Sequence, residues 1–141
     1  GQARMLAQEA GRRLLIIDGP PGIGCPVIAS LTGASLALIV TEPTVSGEHD
    51  LLRVLSLARH FRVPAVVCVN KWDLNPEKAA RIEEEAAGAG AKIAGRIRYD
   101  PEVTRAQIEA KAAVETGAPS AEDIRRVWKE ICKNLGERCN G

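Results

Sequence analysis

The sequence predicts an α/β fold, a sheet of mostly parallel strands flanked by helices. Three observations carry that expectation. Short apolar runs alternate with longer amphipathic stretches along the chain, and Gly, Pro or Asn stand at the switches between them. The first three runs are also apolar without interruption, as strands covered on both faces are. The 141 residues are enough for one compact core, so a single domain is expected.

The elements follow in chain order. Residues 14–17 (LLII) read as the first strand, and residues 36–40 (LALIV) as the second. Ser46 can cap a helix that runs to about Phe61, with Leu51, Leu55, Ala58 and Phe61 on one face. Residues 65–69 (AVVCV) give the third strand. Asn75, Pro76 and Glu77 then supply an N-cap, a first-turn proline and an acid near the positive helix end. That helix is expected to stop near Gly88, ahead of a fourth strand at 93–97. Ser120 with Asp123 resembles a capping box for the last helix. Its stripe of Ile124, Val127, Trp128, Ile131, Cys132 and Leu135, interleaved with charges, suits a helix facing a core.

Composition narrows the function. A formal net charge of +1, with Lys and Arg scattered, argues against a nucleic-acid binder, and 3% aromatics leave little for base-stacking platforms. No apolar run approaches the roughly 20 residues of a membrane span, and the opening residues do not read as a secretion signal. Cys25, Cys68, Cys132 and Cys139 show no CxxC spacing, which fits a reducing, cytoplasmic setting better than a disulfide framework. Cys68, inside an apolar run, reads as a core residue, and Cys139 as part of a polar tail.

In parallel α/β sheets ligands sit at the carboxyl ends of strands. Two such ends stand out here. Asp18 ends the 14–17 run and is followed by Gly19, Pro20, Pro21, Gly22 and Gly24. A carboxylate there suits a Walker-B residue that holds Mg²⁺ through water, and the glycines let backbone N–H groups approach a phosphate. An Asp that merely caps a turn is the plain alternative. A dinucleotide-binding glycine loop does not fit, because Val27 stands where a third small residue is needed. After the 65–69 run come Asn70, Lys71 and Asp73, an N-K-x-D pattern. Asn can read a purine edge, the Lys stem can lie along the base, and Asp can accept from guanine amines.

The run from LLIIDGPPGIGCPVI through TEPTVSG to VCVNKWDLN resembles the second half of a MinD-superfamily P-loop ATPase of the SIMIBI type. It is most similar to the branch with an inserted ferredoxin domain, and more distantly to nitrogenase iron protein and Mrp-type cluster carriers. GRIRYDPEVTRAQIEAKAAVE resembles that family's closing strand and the loop beside the base, with Arg98 where a proline is usual. The resemblance implies Asp18 as Walker-B residue and Gly22 within a switch-like loop with Gly19 and Pro20. It implies Asn70, Lys71 and Asp73 at the base, flanked by Tyr99 and Asp100. It also implies ATP and Mg²⁺ as ligands, a homodimer, and iron–sulfur or redox partners.

The family's G-K-G-G-x-G-K-[ST] loop is missing from these residues, and Gly88–Lys92 imitates it poorly. The chain is therefore expected to be the C-terminal portion of a longer ATPase, inactive by itself. Two alternatives stay open: a GTPase that reads guanine through Asp73, and an interaction module without hydrolysis. Cys25, seven residues beyond Asp18, reads by itself as a small residue that opens a short helix. The resemblance to nitrogenase iron protein, which has a cluster-ligand cysteine at a similar offset, implies instead a ligand to a 4Fe–4S cluster shared between subunits.

Overall fold

The computed structural model describes residues 2–136. Cys139 lies outside them. Six helices and three strands follow one another as α1 (Gln2–Glu9), α2 (Cys25–Leu31), β1 (Ala37–Thr41), α3 (Val45–His60), β2 (Ala65–Asn70), α4 (Pro76–Gly88), β3 (Lys92–Ile97), α5 (Glu102–Ile108) and α6 (Pro119–Leu135). The sheet is wholly parallel, in the order β1-β2-β3. Three of the four expected strands are thus present, within a residue or two of their expected ends.

β2 is the centre. Its residues alternate between two cores, so the strand reads as one continuous apolar run. Val67 and Val69 face Leu51 and Leu55 of α3 and Ala79, Ile82 and Ala86 of α4. Val66 and Cys68 face Ala94 of β3 and Val127 and Ile131 of α6. Each fully buried side chain of this kind stabilises the fold by about 1.5–3 kcal/mol. A smaller core joins Val27 and Leu31 of α2 to Ala37, Ala58 and Val63.

Among the described residues β1 is an edge strand covered on one face. Leu38 and Val40 share the β2 register of Val66 and Cys68, the α6 side, yet both are exposed. At the opposite edge of the sheet β3 meets α6 closely, on that same face. A bulge opposite Val67 and Cys68 places Gly95 at φ +139°, where an added Cβ would lie 3.2 Å from Val127 Cγ2. Only glycine accepts both the dihedral and the contact.

Three sequence expectations need correction. Residues 14–17 are not a strand: they carry no regular structure, and Ile16 is 73% exposed. A strand exists only through its neighbour's hydrogen-bond ladder, and none among the described residues reaches this run. The cap of α3 is Thr44, whose hydroxyl accepts the Gly47 N–H at 3.0 Å; Ser46 lies inside the helix. Ser120 and Asp123 form no capping box either. α6 begins at Pro119, and it is Asp100, from the loop after β3, whose Oδ2 accepts the Ser120 N–H at 3.0 Å. The Asn75 cap holds, with its side chain accepting the Lys78 N–H. Such a cap is worth about 1 kcal/mol.

Candidate functional site

Because the sheet is parallel, the carboxyl ends of β1, β2 and β3 emerge along one edge of the molecule, with Thr41 level with Val69 and Asn70 level with Ile97. The chain turns sharply at each end. After β1, the Thr41 hydroxyl donates to the Gly47 carbonyl at 3.0 Å and draws the start of α3 against the strand. The fit is close: a Cβ on Gly47 would stand 2.4 Å from the Glu42 carbonyl oxygen and 2.9 Å from Thr41 Oγ1. After β2, Lys71 takes a left-handed conformation at φ +54°, unusual for a side chain of its kind, and a short 3-10 turn over Trp72–Leu74 leads to the Asn75 cap.

These turns are linked to one another. Lys71 Nζ lies 2.7 Å from Glu42 Oε1, an ion pair between the ends of β1 and β2. Glu42 holds the Lys71 ammonium above its usual pKa range, with the nearby Tyr99 phenol adding a smaller share. Asp73 Oδ1 accepts the Tyr99 N–H at 2.7 Å and so ties the β2 turn to the β3 loop. Asn70 is half-buried between these two links, and its amide makes no hydrogen bond among the described residues.

The loop after β3 is fixed from behind as well. Buried Asp123 on α6 accepts Arg98 Nε at 2.6 Å, Arg98 Nη2 at 2.9 Å and the Arg98 backbone N–H at 3.2 Å. This guanidinium holds the Asp123 carboxyl below the usual carboxylate range. Asp100 uses both oxygens, Oδ1 for the Glu102 N–H and Oδ2 for the Ser120 N–H, and these backbone donors lower its pKa, Ser120 first. Beside the loop, Arg96 makes a bidentate pair with Glu83 at 2.6 and 2.8 Å and lies 5.2 Å from the centre of the Trp72 ring. Neither the Arg98–Asp123 pair nor the Glu42–Lys71 pair was read from the sequence. The partners lie 25 and 29 positions apart, beyond the reach of any local pattern.

The second group of candidates lies on the irregular stretch between α1 and α2. Asp18, Gly19, Pro20 and Gly22 are all exposed, with Gly22 at φ +94°. Asp18 and Gly22 make no hydrogen bond or ion pair with the strand ends among the described residues. Cys25 is exposed at the start of α2, and no three His, Cys, Asp or Glu side chains among the described residues lie close enough to hold a metal ion. Cys68, by contrast, is fully buried, and burial pushes its thiol up to about 12.

No protein-family model matches the chain. Solved structures do: MinD cell division protein of Aquifex aeolicus superposes with a TM-score of 0.78 at 23% identity, over 92% of this chain and 57% of that one. The cell division ATPase MinD of Pyrococcus furiosus superposes with a TM-score of 0.69 at 21% identity, over 83% and 50%. The fold is that of MinD. Among curated sequences, one uncharacterized protein of Methanocaldococcus jannaschii is 41% identical over 69 residues, 49% of this chain and 25% of its own length. Another from the same organism is 32% identical over 63 residues, 45% of this chain and 23% of its own. GTPase Der of Jannaschia sp. is 26% identical over 101 residues, which is 72% of this chain and 19% of that protein. The chain thus spans about half the length of the MinD structures and a quarter or less of its curated relatives.

Proposed function

We propose that this chain is the base-binding and Walker-B portion of a MinD-like ATPase whose P-loop lies in sequence outside these residues. One observation carries the reading: the N-K-x-D turn stands at the carboxyl end of the central parallel strand and is bonded to the strand ends on both sides, leaving the Asn70 amide uncommitted. That is where open parallel sheets receive ligands. A purine fits this end, with Asn70 reading its edge and the Lys71 stem beside it. Asp18 offers an exposed carboxylate of the kind that takes Mg²⁺, directly or through water, and Gly19, Pro20 and Gly22 form the loop that follows the γ-phosphate. When bound, the metal neutralises charge on the phosphates. The phosphate cradle and its lysine are not among these residues, so hydrolysis requires the longer protein.

A GTPase is the second reading, favoured by Asp73 and by the likeness to GTPase Der. The proposal extends to a homodimer and, through Cys25, to an iron–sulfur or redox partner of the complete protein.

Calorimetry with Mg-ATP on these 141 residues and on the complete natural protein tests it. Binding by the complete protein alone is the expected result. Tight binding by the short chain shows that the phosphates are held without a P-loop, and no binding by either removes the nucleotide site. Iron content of the complete protein that is indifferent to Cys25→Ala removes the cluster link and nothing else.

A further inference from the structure

We infer that Glu42 is a positioning residue of this site: it holds the Lys71 ammonium at the end of β1, so that Lys71 meets a bound base with its stem and offers the phosphates no free charge. This rests on the nucleotide site proposed above.

The sequence puts a glutamate directly after β1 and a lysine directly after β2, and the parallel register brings the two turns side by side. Both ends of the lysine are fixed. Its backbone is left-handed at φ +54°, a conformation lysine seldom adopts, and its carbonyl accepts the Leu74 N–H at 3.1 Å. Its Nζ lies 2.7 Å from Glu42 Oε1. Glu42 is itself a rigid anchor. Its carbonyl accepts the Thr44 N–H at 2.8 Å and faces Gly47, where an added Cβ would stand 2.4 Å away. The Thr41 hydroxyl closes the same turn by donating to the Gly47 carbonyl at 3.0 Å. Between the two fixed ends the Lys71 stem bridges the β1 and β2 turns, next to Asn70.

An unpaired lysine on a surface turn keeps many rotamers, and a ligand that needs the stem in one of them must order it. Pairing before the ligand arrives removes that cost. It also cancels the charge, because an ammonium touching a carboxylate presents a triphosphate with little net attraction. The two side chains stay 38% and 45% exposed, so the pair adds little to folding and its effect falls on the ligand.

The test is calorimetry of Mg-ATP with the complete natural protein, as wild type, Glu42→Ala, Glu42→Gln, Lys71→Met and the double variant Glu42→Ala with Lys71→Met. The urea midpoint of each is read alongside. Glu42→Ala is expected to bind about fivefold more weakly at an unchanged midpoint. Glu42→Gln, whose amide oxygen still accepts from the ammonium, is expected to stay within about twofold of wild type. Lys71→Met keeps a stem of similar length with no charge to anchor. It is expected to lose a similar factor to Glu42→Ala, and the double variant no more than either single one. Tighter binding by Glu42→Ala overturns the inference, because the carboxylate would then have been withholding a charge from the phosphates. So does a Lys71→Met loss far beyond that of Glu42→Ala, or losses that multiply in the double variant. A Glu42→Ala affinity equal to wild type, or a Glu42→Gln variant as weak as Glu42→Ala, overturns it too. Each of these results leaves the nucleotide site standing. A wild type that binds no Mg-ATP removes the site and the inference together.

Discussion

Val67 and Ile16 both sit inside uninterrupted apolar runs, of five and four residues, that read alike as buried strands. In the fold Val67 is 0% exposed and Ile16 73%. The difference is one of company. Residues 65–70 have β1 on one edge, β3 on the other and helices over both faces, whereas residues 14–17 have no ladder at all among the described residues. Hydrophobicity supplies the drive to be buried; pairing decides whether a run becomes a strand.

The contrast can be broken by mutation, most forcefully in the core. Ile82→Ala, at a fully buried position between α4 and β2, is expected to cost about 3 kcal/mol, and Ile16→Ala to stay within about 0.5 kcal/mol. Urea unfolding followed by the fluorescence of Trp72 and Trp128 checks both; equal shifts would mean that residues 14–17 are packed after all. Gly47→Ala comes next, at about 2 kcal/mol, since its Cβ meets the backbone oxygen of Glu42 and neither the turn nor the helix can yield without the other. A wild-type-like midpoint for that variant would show the β1 turn to be pliable.

Acid sharpens the same contrast, with the smallest effect near neutrality. Asp123 is held below its ordinary range by Arg98, Asp100 by the Ser120 amide and Glu48 by Lys78. Each binds a proton less readily folded than unfolded. Their contribution is therefore complete above the unfolded carboxylate value of about 4 and is lost as pH falls through the lower folded values. Urea midpoints are expected to hold from neutral pH down to about 5 and to drop below about 4. The loss is expected in the β3–α6 half first, read as exchange at Arg98 and Tyr99. Uniform loss across the chain would count against Asp123 and Asp100 as its leading source.

What the sequence made legible follows the same division. Apolar runs located β1, β2 and β3 and 3.6-residue stripes located α3 and α6, because burial leaves a periodic trace, while α4 was located by its Asn75 cap and first-turn proline. The 14–17 run failed because strand formation depends on a partner, which local composition does not encode. The Asn75 cap held, but the caps of α3 and α6 were misplaced: Thr44 and Ser46 are equally plausible hydroxyls, and the structure uses the first. At the candidate site, Asn70 and Lys71 were legible from their place after a strand. That Lys71 leans on Glu42, that Asp73 holds Tyr99 and that Arg98 is locked by Asp123 are long-range facts, set by how three parallel strand ends come side by side.

The bare edge of β1 also bears on how the chain behaves in company with itself. Its outer backbone groups have no strand beside them among the described residues, and Leu38 and Val40 sit exposed along the same strand. Neither proline nor a charged side chain guards Ala37–Thr41, so the strand lacks the usual devices against edge pairing. At high concentration these residues offer other copies a ready template, and aggregation of the 141-residue chain is set to begin there.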